Sequence, residues 1–152
     1  MKILFVCLGN ICRSPAAEGI FNHKAREAGL PVSADSAGIS AWHAGEKADR
    51  RMRQTAKNRG YDLTSISRPL ISSDFEDFDY LIAMDDQNYD DLQAKAPDSG
   101  HLKKILRMRD FFSDKRFDHV PDPYNGGSKG FEMVIDLLED ASENLIQFIQ
   151  KQ

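Results

Sequence analysis

The sequence predicts an α/β layer fold with a mostly parallel sheet, and three observations carry that prediction. Short continuous apolar runs recur along the chain, helical periodicities lie between them, and turn residues separate the two. The first run, Ile3 to Val6, has the unbroken apolarity of a strand buried on both faces. It gives way to Cys7-Leu8-Gly9-Asn10-Ile11-Cys12-Arg13, after which Ser14-Pro15 reads as an N-cap followed by proline at the first helical position. Ala17, Ile20, Phe21, Ala25 and Ala28 repeat at helical spacing, and Gly29 closes that helix. Val32 to Ala37 is the second strand, and a helix rich in Lys and Arg follows from about Glu46 to Arg59, stopped by Gly60. Tyr80 to Met84 is the next buried strand. A helix then runs from Asp86 to Lys95, and Pro97 prevents its continuation. Lys103 to Met108 fits a fourth strand and a helical turn equally well. In the last helix Phe131, Val134, Leu138, Ala141, Leu145 and Phe148 form one apolar stripe.

With 152 residues, 41% hydrophobic and 29% charged, the chain is one ordinary domain over 1–152, which excludes disorder, collagen-like repeats and a disulfide scaffold. Twenty basic side chains against 24 acidic ones leave a formal charge of −4, not the basic excess of a nucleic-acid binder. Such a chain does not draw anions over long range, so a phosphate must be held by a local pocket. No apolar run approaches the ~20 residues needed to span a bilayer, and the N-terminus lacks the core and cleavage site of a signal peptide. The expected compartment is the cytoplasm, where Cys7 and Cys12 are reduced. Two reduced cysteines five positions apart suit chemistry better than architecture.

In open α/β sheets ligands bind outside the carboxyl ends of the strands, and the loop from Cys7 to Ser14 lies at one such end. A turn of this length between a strand and a helix can aim several backbone N–H groups inward, with the positive end of the helix dipole behind them. Arg13 adds a planar fork that matches two phosphate oxygens, Gly9 permits close backbone approach, and Asn10 tolerates left-handed angles. Cys7 then sits at the bottom of a positive bowl whose field favours an ionised thiol, and the Ser14 hydroxyl can donate to it. The result is a soft nucleophile beneath a tetrahedral oxyanion. A dinucleotide loop and a P-loop are disfavoured, since Gly-x-Gly-x-x-Gly and the P-loop lysine are both absent. For a proton donor the best candidate is Asp122, stiffened by Pro121 and Pro123 and next to Tyr124.

At these residues the chain closely resembles the low-molecular-weight protein-tyrosine phosphatase family. Cys7 to Pro15 looks like the family's phosphate loop almost letter for letter. Asp35-Ser36-Ala37-Gly38, Met84-Asp85 and Asp122-Pro123-Tyr124 are similar to further family segments. The resemblance implies a single-domain three-layer sandwich, with a central four-stranded parallel sheet flanked by helices on both faces. It makes Cys7 the nucleophile, Arg13 the phosphate clamp and Asp122 the acid that later acts as base. Leu8, Gly9, Asn10, Ile11 and Cys12 form the loop, and Asn10, Ser14 and Ser36 form a network holding loop and thiolate. Trp42 and Tyr124 are the aromatic walls of the substrate site. Asp85 either supports the loop or caps a helix.

The implied substrates are tyrosine-phosphorylated proteins, with inorganic phosphate and other oxyanions as competitive ligands. No metal, cofactor, nucleic acid or membrane is expected, and the chain is expected to act as a monomer. Relatives that dephosphorylate arginine carry Thr where this chain has Ile11, which favours an aryl ring over a guanidinium. Many members carry a second aromatic where Asn125 stands, which makes this rim more polar. Cys12 either bridges reversibly to Cys7 or is a small buried side chain. The four histidines are expected in solvated or structural roles. Two rival functions share this loop: a thiol-dependent arsenate reductase, which needs further cysteines the chain lacks after Cys12, and a catalytically silent phosphate-binding module.

Overall fold

Ile3 to Val6 lie at the centre of the molecule, all at 0% exposure, and their alternation builds two cores. In the computed structural model, which describes residues 1–124 and 127–152, strand β1 (Lys2–Cys7) is flanked by β2 (Ser33–Gly38) and β3 (Tyr80–Ala83). The short β4 (Ile105–Arg107) pairs with β3 and completes a parallel four-stranded sheet in the order β2-β1-β3-β4. Ile3, Phe5 and Cys7 face the larger core, closed by α1 (Arg13–Glu27), α2 (Arg50–Asn58) and α5 (Ser128–Gln150). Leu4 and Val6 face the smaller one, with Phe75 of α3 (Asp74–Asp77) and Leu92 of α4 (Asp86–Lys95). This is the three-layer α/β architecture, with helices on both faces of a parallel sheet.

Several boundaries differ from the sequence expectation for local reasons. Ser14 is not a cap: α1 starts at Arg13 with Cys12 in the capping position and no side-chain cap, because the Ser14 hydroxyl is engaged by the loop. The basic helix begins at Arg50 instead of near Glu46. Lys47 pairs with Ile66 in an isolated bridge, and Asp49 is the cap, accepting from the N–H groups of Arg51 and Met52. Residues 103–108 realise both open readings, since β4 sits between 3₁₀ turns at Ser99–Lys104 and Met108–Phe111. α3 was not anticipated. In α5 the stripe residues Phe131, Val134, Leu138, Ala141 and Leu145 are buried. Phe148 is 37% exposed and packs edge-on against Tyr80 and Phe111 at the rim.

Candidate active site

The loop from Leu8 to Cys12 leaves the carboxyl end of β1 at the centre of the sheet and is held from outside by its carbonyls. Those of Cys7, Leu8, Ile11 and Cys12 accept from the N–H groups of Ile39, Ser40, Asp49 and Ala16, and that of Gly9 accepts from the Ser67 hydroxyl. Among the described residues none of the N–H groups of 8–12 is taken up by another protein group. Carbonyls tied outward leave the N–H groups to converge inward, the arrangement of an anion nest. Asn10 adopts the left-handed conformation that turns the chain, at φ 57°. Gly38 on β2 must be glycine for a different reason. A Cβ there would stand 2.9 Å from the Ser40 carbonyl and 3.1 Å from that of Leu8, pushing the loop off the sheet.

Cys7 sits on the floor with its sulfur 3.0 Å from Ser14 Oγ. Asn10 Nδ2 donates to that same oxygen at 2.8 Å, leaving the hydroxyl proton for the sulfur once it is a thiolate. Asn10 Oδ1 in turn accepts from the Arg68 N–H at 3.0 Å, and the Arg68 guanidinium grips Asp74, only 3% exposed, at 3.0 and 3.2 Å. A hydrogen-bonded chain thus runs from the buried carboxylate of α3 to the sulfur.

Arg13 is 4% exposed and its guanidinium is already oriented: Nη1 donates to Asp85 Oδ2 at 2.6 Å and to the Val120 carbonyl at 3.1 Å. Burial works against its charge, but Cys7 and Asp85 outweigh burial and hold it more firmly protonated than an ordinary arginine. Both open readings of Asp85 hold, because its second oxygen caps α4 by accepting from Asn88 N–H. Asp122 Oδ2 lies 3.9 Å from Arg13 Nη2, its side chain is half exposed, and Oδ1 accepts from the Tyr124 N–H. The sequence separation of Cys7 and Asp122 is closed by the fold.

Cys7, Arg13 and Asp122 border one cavity of about 350 Å³, lined by Cys7 to Arg13 together with Ser40, Trp42, His43, Asp122 and Tyr124, with Ser14, Arg68 and Asp85 supporting it from behind. Trp42 is 84% exposed and Tyr124 is 42% exposed where they line this cavity. Arg51 ties the Asp122 segment to the loop. Its Nη2 donates to the Tyr124 carbonyl at 2.7 Å, its guanidinium lies over Tyr124 and Phe131, and it chelates Asp49, whose N–H holds Ile11.

Ser36 does not join the expected network: its hydroxyl donates to Glu18 at 2.6 Å, and it bonds neither Asn10 nor Ser14. Burial raises the proton affinity of that Glu18 carboxyl against the opposing Ser36 bond. Sequence reasoning missed His43, which forms part of the wall, pairs with Glu46 and tilts against Tyr124; its place beside Trp42 was the available signal. Arg68 was also missed, and no signal could have found it, since its hold on Asn10 is through the backbone. Asn125 lies outside the described residues.

Burial pushes the Cys12 thiol well above its ordinary range, with the Asp49 carboxylate adding to the effect. Cys12 is therefore a neutral thiol at physiological pH, which fits its reading as a small buried side chain. Iodoacetate at pH 7 should carboxymethylate Cys7 and spare Cys12 in peptide mapping. Comparable labelling of both would contradict this assignment.

A family model described as low molecular weight phosphotyrosine protein phosphatase matches residues 2–152. A low molecular weight phosphotyrosine protein phosphatase of Schizosaccharomyces pombe is 39% identical, the alignment covering 98% of this chain and 97% of the relative. A crystal structure of a protein tyrosine phosphatase from Entamoeba histolytica with Hepes in the active site superposes with a TM-score of 0.96. It is 51% identical, over 99% of this chain and 97% of that one. A Drosophila arginine phosphatase superposes at 0.93 with 33% identity, over 98% of both chains.

Proposed function

The chain belongs to the low molecular weight phosphotyrosine protein phosphatase family, and from that premise we propose how its own residues carry out the reaction. The Cys7 thiolate attacks the phosphorus of a phosphotyrosine ester seated in the loop. The bond from phosphorus to the tyrosyl oxygen breaks, and Asp122 protonates the departing oxygen. Water then attacks the phosphocysteine, Asp122 takes its proton, and the sulfur–phosphorus bond breaks to release phosphate. Charge on the equatorial oxygens falls to the loop N–H groups and the Arg13 fork, without a metal ion or cofactor. The arrangement that carries this reading is Cys7 on the floor of the nest, bonded to Ser14, with Arg13 and Asp122 3.9 Å apart.

Ile11 in the wall favours an aryl ring over a guanidinium, which separates this reading from arginine dephosphorylation. Trp42 and Tyr124 offer apolar faces for that ring, and inorganic phosphate competes for the nest. We read the chain as a cytoplasmic monomer, in keeping with the reduced thiol the chemistry needs.

Asp122 supplies the test. The first step needs a protonated acid and an ionised thiol, so activity should be bell-shaped in pH and peak on the acid side of neutral. Asp122→Ala should lose that acidic optimum, and phenyl phosphate turnover should fall about 10²–10⁴-fold. p-Nitrophenyl phosphate, whose leaving group scarcely needs a proton, should fall less. An unchanged pH profile in the variant removes Asp122 from the mechanism.

A further inference from the structure

We propose that the basic face of α2 is a docking surface for acidic residues flanking the phosphotyrosine, so that acidic phosphoproteins are the preferred substrates; this rests on the phosphatase reading above. Residues 47–59 hold six cations against the single carboxylate of Asp49, in a chain whose formal charge is −4. The catalytic arrangement does not account for that asymmetry. Arg51 and Arg59 are committed, the first to Asp49 and Tyr124, the second to Asp136 and Glu139 of α5. The other four, Lys47, Arg50, Arg53 and Lys57, have no carboxylate within 4 Å among the described residues.

Arg50 and Lys57, at i and i+7, share the exposed face away from the buried Met52 and Ala56, and half-buried Arg53 lies at the edge of that face with its Nε on the Ala48 carbonyl. Their span is about 10 Å, comparable with the Debye length near 0.1 M salt, so they act on an incoming chain as one patch. The patch begins at the site itself, since Asp49, one residue before Arg50, donates its N–H to Ile11 of the loop. A substrate chain in the site extends at roughly 3.3 Å per residue, which carries nearby side chains from the loop to the helix within a few positions. An acidic flank would otherwise meet a net negative protein, and this face reverses the sign where the flank arrives. An acidic polypeptide is favoured over an anionic bilayer because the helix that carries the patch adjoins the catalytic cavity: its Arg51 holds the carbonyl of Tyr124, which lines that cavity.

The test uses two phosphotyrosine peptides of equal length, one with Asp and Glu at the flanking positions and one with Asn and Gln. The double variant Arg50→Glu/Lys57→Glu is compared with the native protein. At ~50 mM salt the native protein should favour the acidic peptide about tenfold in kcat/KM, and that preference should collapse at ~500 mM. The variant should lose or invert the preference while hydrolysing p-nitrophenyl phosphate at the native rate. No native preference, or a preference that survives in the variant, overturns the proposal. So does a peptide preference that persists while the variant loses binding to phosphatidylserine vesicles, which assigns the face to a membrane. Failure of the native protein to hydrolyse any of the three esters strikes the phosphatase reading itself, and the docking surface falls with it.

Discussion

Cys7→Ser should lower phosphate-ester hydrolysis by about 10⁴-fold or more, leaving the fold and oxyanion binding in place. The change replaces sulfur by oxygen in a residue 3% exposed, so little packing is lost. What is lost is the proposed nucleophile, because a hydroxyl without an adjacent base attacks phosphorus far more slowly than sulfur does. The loop N–H groups and Arg13 are untouched, so inorganic phosphate or vanadate should still bind. Native activity should also persist in a chelator. Substantial turnover by the variant would mean that another group attacks phosphorus. Loss of phosphate binding as well would mean that the substitution had disturbed the loop.

Arg13→Lys should cost about 10³-fold in kcat/KM with near-native thermal stability. Arg13 works at two places: Nη1 is held by Asp85 and the Val120 carbonyl while Nη2 stands toward Asp122. Lysine keeps the charge but has one nitrogen, so it can satisfy Asp85 or reach the phosphoryl oxygens, and it lacks the planar fork. Arg13→Ala is the less informative variant. It strips a partly buried carboxylate of its partner, which costs on the order of 3 kcal/mol and confuses lost catalysis with lost folding. A lysine variant within tenfold of native would show that charge alone suffices.

The unbroken apolar run Ile3-Leu4-Phe5-Val6 made the central strand legible, because a run apolar on both faces has nowhere else to go in a layered fold. The α5 stripe was legible for the corresponding helical reason. α3 was not, since Asp74–Asp77 is a single turn in a polar stretch and carries no period. The loop could be read because its donors and the proposed nucleophile are contiguous from Cys7 to Ser14. The approach of Asp122 could not be read from spacing, as nothing local says which distant loop crosses the mouth of the nest. Ser36 shows the converse failure. It lies on β2, the strand paired with β1, yet Glu18, one turn beyond Ser14 on α1, captures its hydroxyl. Ser14 looked like a helix cap, when its hydroxyl is held between Asn10 and the sulfur.

The central claim is a covalent bond between phosphorus and Cys7, and acid quench within the first turnover tests it most directly. Native protein mixed with excess p-nitrophenyl phosphate should give, by mass spectrometry of the digest, one phosphoryl group on the peptide that contains Cys7. That adduct should be absent in Cys7→Ser. A phosphoryl group on any other residue, or full turnover with no adduct at the shortest quench times, would contradict the account.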